Sequence, residues 1–455
     1  MSEANRTGEE LSKAYGGIVD KVKTSLSGKL LLIGLIALLC QIPGCMIGAL
    51  QSERAHRAQS VEDDISEKWG GRQLVAGPVV AVLIERQVEV YDEKKKTTRL
   101  ETVVETVQFA PEELTVTGTM TPEIRSRGIF DVLLYRSEIV LKGTFAPRWR
   151  IPDAAKWTPR FGDAQLLLDI ADIKGITAIG VRIADRPGRI LPLEERRGSV
   201  KHGLCVPMPE LADEAVRNGG PIPFEITLSL NGCRSLLFYP VGIANRISLG
   251  SPWPSPSFTG GFLPQERKVS ETGFRAAWSV SDFNRDCPAA WLGERVDFKE
   301  ESCVGAALVD PVDAYAQVER ALSYSLLVCL IVLIALLAAE RLGRCWVHPL
   351  QYLVAGLSLV LFYMLLLSLS EHIGFGAAYA AAAGVIAALG GFYAKLIFGR
   401  WRMAFGLALV TALSYLVVYA ILQLEDYALL AGSGVLVLLM AVLMAFTGKL
   451  NRKAA

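Results

Sequence analysis

A glutamate and a histidine stand side by side at Glu371 and His372, after a run of about 20 apolar residues. From 349 to 393 they are the only acidic or imidazole side chains, and no Lys or Arg intervenes. A carboxylate beside an imidazole can relay protons through a membrane. It can also form a pH-sensitive contact, because His titrates near neutrality and a neighbouring carboxylate raises its pKa. The apolar runs on either side are each long enough to cross a bilayer as a helix. The pair therefore falls in the short turn between two spans, at the outer interface, which argues against a proton wire. Two readings stay open: a functional contact made by Ser370, Glu371, His372 and Gly374, or a plain turn in which Ser370 caps the chain and Gly374 permits the tight geometry.

Other candidates are weaker in chemistry. His348 and Pro349 open the third apolar span; Pro is normal at a helix start, so His348, Gln351 and Tyr352 read as anchors at the membrane interface. Trp253-Pro-Ser-Pro-Ser-Phe258 cannot be a central strand, because Pro donates nothing to a ladder. Its Trp253, Pro254, Pro256 and Phe258 form either an arm for a partner or a rigid edge sealing a β core. Of the 8 cysteines, Cys205, Cys233, Cys287 and Cys303 lie outside the apolar spans, with Cys287 and Cys303 nearest in sequence. Disulfides and buried free thiols are both open. No Cys/His cluster suits a metal, and there is no G-x-S-x-G or phosphate loop, so neither an enzyme nor a cofactor is expected. A glycosidase-like carboxylate pair is the one catalytic arrangement the composition leaves open.

These residues hang on a chain of 455 residues with mean hydropathy +0.34 and formal net charge +1, which offers no argument for nucleic-acid binding. Six stretches reach spanning length: 30–50, 321–339, 349–370, 374–393, 403–422 and 427–446. Lys21, Lys23 and Lys29, then Arg341 and Arg344, then Lys395, Arg400 and Arg402, and finally Lys449, Arg452 and Lys453 occupy alternate connections. The positive-inside rule puts these in the cytoplasm, with both termini, and puts the long loop across the membrane. Ile42-Pro43-Gly44-Cys45 faintly resembles a lipoprotein cleavage box, but the long polar leader and the charge pattern favour a retained span. Small residues between Gly374 and Gly391, and Gly44 with Gly48, suit close helix packing.

The expected organisation is a cytoplasmic amphipathic segment at 1–28, a first span at 29–50, a periplasmic β-rich domain at 51–320, a five-helix bundle at 321–448 and a cytoplasmic tail at 449–455. In Phe224-Glu-Ile-Thr-Leu-Ser-Leu230 apolar residues alternate as a half-buried strand requires, and Asn231-Gly232 predicts a hairpin turn directly after it. Segments 79–91 and 98–109 predict a second hairpin around a charged turn. The fold class is thus a membrane protein of six transmembrane helices, with a large antiparallel, sandwich-like β domain inserted between the first two. Asp310, Pro311 and Asp313 predict a helix start, and no breaker follows before Gly343, so one stiff helix is expected to run into the second span.

Two further stretches point to a family. One comprises Trp253 to Phe258 with Gly260, Phe262, Leu263, Pro264, Ser270, Gly273, Phe274, Ala276 and Trp278; the other is His348-Pro-Leu-Gln-Tyr352 with Gly356, Phe362, Tyr363 and Ser370-Glu-His-Ile-Gly-Phe375. In these, and in Glu53-Arg54, Gly77-Pro78, Pro311, Asp313, Tyr315, Arg320 and Tyr324, the chain resembles the CreD family of bacterial inner-membrane proteins, also described as colicin-tolerance proteins. Ser323 stands where a basic residue is expected of that family. The resemblance implies a protein of the inner membrane connected with envelope integrity and stress, in a regulon run by a two-component pair, and it implies no catalytic residues.

The expectation is therefore a non-enzymatic, multi-pass inner-membrane protein supporting the cell envelope. Its candidate partners are the lipid bilayer and a periplasmic or envelope protein, lipid or cell-wall ligand, with the oligomeric state open. The alternative is a transporter or channel for an envelope substrate. It is disfavoured because the spans lack central charges, Gln41 and Pro43 being the main mid-span irregularity.

Overall fold

The computed structural model describes residues 26–92, 97–146, 149–152, 154–309 and 314–424, with scattered residues between 430 and 444. It forms two compact units: Met1–Ala58 with Val312–Ala455, and Gln59–Pro311. The amphipathic segment expected before residue 26, the cap at 310–313 and the basic tail lie outside the described residues.

The first helix, α1, is Leu26–Trp69. The β domain was expected to begin at 51, yet the helix continues because 51–69 holds no breaker and is rich in good helix formers. Glu53 and Asp64 pair with Arg57 and Lys68 one turn on. The helix ends at Gly70, whose φ of 140° only glycine adopts easily and whose N–H returns to the Ser66 carbonyl at 2.8 Å.

Among the described residues of the helical unit five more helices follow: α2 (Ala314–Ser323), α3 (Ser325–Gly343), α4 (Pro349–Ile373), α5 (Phe375–Phe398) and α6 (Trp401–Gln423). Among the described residues, α1 and α3 to α6 are long and apolar enough to cross a membrane. Most of 427–446, the sixth expected span, lies outside the described residues, and those described there are helical. The stiff helix expected to enter span two is interrupted at Tyr324 (φ −92°, ψ 5°). There the Tyr324 N–H takes the Ala321 carbonyl at 3.1 Å, the tighter i→i+3 pattern, and the Ser325 hydroxyl donates to Gln41 Oε1 of α1 at 2.9 Å.

The helices are apolar on both faces. Leu31, Leu35, Leu38, Ile42 and Met46 recur every three or four residues on α1 and are exposed, as are Phe405, Leu409, Leu413 and Leu416 on α6. The buried faces meet around Leu333, Phe362, Leu366 and Tyr415. Such helices need an apolar solvent outside as well as a core inside. A Cβ at Gly391 would stand 3.0 Å from that of Ala408, so α5 and α6 pack at close range there.

The second unit is a β fold of two sheets, nine-stranded and eight-stranded among the described residues. Both face one apolar core. Gln73–Asp92 pairs with Thr97–Phe109 from Val80↔Phe109 to Asp92↔Thr97, the hairpin that the alternation of 79–91 and 98–109 predicts. In Ile222–Cys233, residues 222, 224, 226, 228 and 230 all turn inward. Two expectations need correction. The sheets are mixed, not purely antiparallel: Gln73–Asp92 runs parallel to Ser235–Tyr239, and Ala244–Ser251 runs parallel to Glu113–Arg127. And Asn231-Gly232 makes no hairpin.

The strand runs straight through Asn231 and Gly232 and pairs with Phe130–Phe145 as far as Cys233↔Leu134. Gly232 serves close packing instead, since a Cβ there would fall 2.3 Å from the Tyr135 hydroxyl. The bend comes at Arg234, at φ 58°, where the chain leaves one sheet for the other. That crossing explains the parallel pair: a strand switching sheets cannot return beside its predecessor as a hairpin does.

Candidate functional site

The chemistry of the helical unit gathers at two levels of α4. Near its C-terminus, α4 continues through Ile373, so Glu371 and His372 belong to its last turn, and Gly374 alone (φ 75°, ψ 155°) links it to α5. Ser370 does not cap the turn; its hydroxyl donates back to the Leu367 carbonyl at 3.0 Å. Glu371 and His372 part company. His372 is exposed, whereas Glu371 Oε1 accepts from the Tyr315 hydroxyl of α2 at 3.1 Å and lies 4.0 Å from Arg54 Nη1 of α1. Gln51, buried on α1, donates to the Tyr315 carbonyl at 2.9 Å. One carboxylate thus joins three helices.

At the N-terminal end, His348 is the N-cap of α4. Its Nδ1 accepts from the Leu350 N–H at 3.2 Å, and Gln351 Oε1 accepts from the His348 N–H at 2.8 Å. This reciprocal capping satisfies two orphan donors of the helix start. His348 also meets the Trp346 ring edge-on at 5.2 Å. Tyr352, expected in an interfacial belt, faces the other helices. It is buried, and its hydroxyl donates to Glu340 Oε2 of α3 at 2.6 Å. The other oxygen of Glu340 is ion-paired with Lys29 of α1. Lys29 and Glu340 are 5 % and 4 % exposed, so each charge depends on the other for solvation.

Sequence reasoning missed this second cluster. Glu340 precedes Arg341 in a turn that reads as simply basic, and Lys29 is 311 residues away. An acidic residue in a basic turn was the available signal.

Between the two levels aromatic side chains pack together. Phe362 stacks on Tyr415 with centroids 4.0 Å apart and meets Tyr363 and Tyr379 edge-on. The Tyr415 and Tyr379 hydroxyls donate to the carbonyls of Leu359 and Tyr415. Gln41, the mid-span irregularity, is satisfied by Ser325 and the Ala37 carbonyl.

In the β unit, Pro256–Gly260 is the edge strand of the nine-stranded sheet, paired with Val304–Leu308. Trp253 Nε1 donates to the Val309 carbonyl at 2.8 Å, and Phe258 packs edge-on against Phe274 and Trp278. These side chains seal the edge, while Pro254 is exposed. Cys205, Cys233, Cys287 and Cys303 are free, buried thiols. Burial pushes the Cys303 thiol up to about 12 and raises that of Cys287, against the opposing pull of Arg285. Asp169 is likewise raised by burial, although it accepts the N–H groups of Lys201 and His202, each at 2.9 Å. Among the described residues, no group of three or more His, Cys, Asp or Glu could hold a metal ion.

A family model described as "Inner membrane protein CreD" matches residues 25–453. The protein "Inner membrane protein CreD" of Escherichia coli (strain K12) is 32% identical over 438 residues, covering 94% of this chain and 92% of that relative.

Proposed function

The chain belongs to the CreD family of inner membrane proteins, and from that membership we propose that this multi-pass membrane protein is a non-catalytic support of the cell envelope. In this reading the helical unit is an anchor, and the β unit lies on the periplasmic side, where it contacts an envelope protein, lipid or cell-wall component. Both termini are cytoplasmic. The exposed Arg341, Arg344, Arg400 and Arg402 at the C-terminus of α3 and the N-terminus of α6 support that orientation.

One observation carries the anchor reading. Lys29 with Glu340 and Arg54 with Glu371 form two helix-joining clusters at opposite ends of α4, and Phe362, Tyr363, Tyr379 and Tyr415 pack between them. A transporter needs polar or broken helix segments at the midplane; aromatic packing there favours a fixed platform.

The test is envelope integrity in a deletion strain, read as sensitivity to detergent and to large antibiotics. Wild-type chain restores resistance. Trp253→Ala/Phe258→Ala and Glu371→Gln/His372→Asn, expressed at matched membrane abundance, then separate a β-unit contact from the α4 turn. A deletion strain as resistant as its parent removes the envelope reading. Uptake of a solute by the purified protein in proteoliposomes replaces the anchor with a transporter.

A further inference from the structure

The end of the helical unit that carries His348 has a second feature, independent of the envelope reading. Arg341 and Arg344 lie at the C-terminus of α3, and Arg400 and Arg402 lie at the N-terminus of α6; all four are exposed. The two turns adjoin, since a Cβ at Gly343 would stand 3.4 Å from the Phe398 ring and 3.9 Å from the Met403 methyl. Two pairs of guanidinium groups are therefore carried on one surface.

Among the described residues, none of the four arginines has an ion pair. The single carboxylate on these turns, Glu340, is turned inward and occupied by Lys29 and Tyr352. Among the described residues, the inward lock thus leaves the four arginines unneutralised. Arg344 even holds a left-handed backbone (φ 49°), a helix-terminal position where glycine is usual.

What lies beside the charges is equally specific. Trp346 and Trp401 are 49% and 63% exposed, and Lys395 sits 4.8 Å from the centroid of the Trp401 ring. Leu342, Leu350, Leu396 and Phe405 are exposed on the same helix ends. Guanidinium groups recognise phosphate by paired hydrogen bonds, indoles favour the headgroup level, and exposed Leu and Phe favour acyl chains. The three chemistries together match a phospholipid and not a free anion. A headgroup with one phosphate would engage one arginine pair and leave the other unmatched.

We propose that these two turns form a site for an anionic phospholipid with two phosphates, a diphosphatidylglycerol, with one phosphate held by Arg341 and Arg344 and the other by Arg400 and Arg402.

The full chain in neutral-detergent micelles is titrated against a fluorescent lipid analogue, with tetraoleoyl-diphosphatidylglycerol, dioleoyl-phosphatidylglycerol and dioleoyl-phosphatidylcholine as competitors. The two-phosphate lipid should compete about tenfold better than phosphatidylcholine, and Arg344→Gln/Arg400→Gln should remove about tenfold of that affinity without touching phosphatidylcholine. Arg246→Gln/Arg275→Gln, in the β unit, should change nothing. Equal competition by the one- and two-phosphate lipids overturns the assignment, as does a double variant within about twofold of wild type. If the double variant does not purify folded, salt decides on the wild-type chain. The preference must shrink as ionic strength rises, and a salt-independent preference also overturns the site.

Discussion

Tyr352 and Glu371 lie nineteen residues apart on one helix, and each is a point where α4 is tied to other helices through a carboxylate. At 1.5 Å per residue they are separated by about 28 Å, close to the thickness of a bilayer's hydrocarbon core. The charged ties of the bundle are thus spaced to leave the hydrocarbon zone to apolar and aromatic packing and to neutral hydrogen bonds such as Ser325 to Gln41 and Tyr415 to Leu359. A polar tie costs least near an interface, where water and headgroups can reach it, and most at the midplane.

The Lys29–Glu340 pair should behave as a buried lock. Removing one partner strands a charge, so Lys29→Met or Glu340→Gln should each cost about 3–5 kcal/mol. The double replacement Lys29→Met/Glu340→Leu should cost clearly less than the sum. Unfolding of the purified protein in mild detergent, run as a double-mutant cycle, checks this. Additive losses would show that the two charges do not depend on each other.

Glu371 should be sensitive to the shape of its side chain more than to its charge. Gln keeps an oxygen for the Tyr315 hydroxyl and loses only the partly exposed Arg54, so Glu371→Gln should cost below about 1 kcal/mol. Glu371→Ala leaves the Tyr315 hydroxyl without its acceptor and should cost about 1–3 kcal/mol. His372→Asn should be silent. The same unfolding assay ranks the three, and an equal loss for Gln and Ala would mean that the charge itself is what matters.

How far these relationships could be read from the sequence depends on their range. Spans announce themselves because bilayer thickness fixes a length, and the strand from Phe224 to Leu230 because one buried face imposes a period of two. The edge at Pro256 is legible because proline cannot donate to a ladder. Glu340 is different: its partner Lys29 lies on another helix far along the chain, and the one local signal is an acid at the head of a basic turn, which names no partner. Asn231-Gly232 misleads for a related reason. Glycine there answers the approach of Tyr135, a long-range demand that has the same local look as a turn.

Arg234 combines a backbone demand with a side-chain one, and the two can be separated. Its φ of 58° favours glycine, while its Nε and Nη2 donate to the two oxygens of Glu62 at 2.5 and 2.7 Å. Arg234→Ala loses the pairing and keeps the strained backbone; Arg234→Gly loses the pairing and relieves the strain. The glycine variant should therefore be the more stable of the two by about 1 kcal/mol. Chemical denaturation monitored by tryptophan fluorescence tests the order, and an alanine variant equal to glycine would mean the bend carries no strain.

Thiol labelling should divide the cysteines by burial and, at one position, report orientation. Cys303, its thiol raised to about 12, and the other buried thiols of the β unit should resist maleimide at pH 8 until the chain is unfolded. Cys345 is exposed in the turn before α4 and should label in the native protein. With a membrane-impermeant maleimide, Cys345 should react in inverted vesicles and stay protected in intact spheroplasts, as a cytoplasmic turn requires. Labelling from the outer face would invert the proposed topology.

Asp169 supplies the pH dependence. Burial raises its folded pKa above the ordinary carboxylate value, so the folded state holds its proton at pH values where the unfolded chain has released it. Stability should therefore fall as pH rises from the free-Asp range through the folded pKa, and then level off. Asp169→Asn keeps an oxygen for the Lys201 and His202 N–H groups and cannot ionise. Its unfolding midpoint, compared with wild type from pH 4 to pH 8, should gain on wild type as pH rises. A constant offset between the two curves would place the Asp169 carboxylate at its ordinary pKa, held there by the two N–H donors.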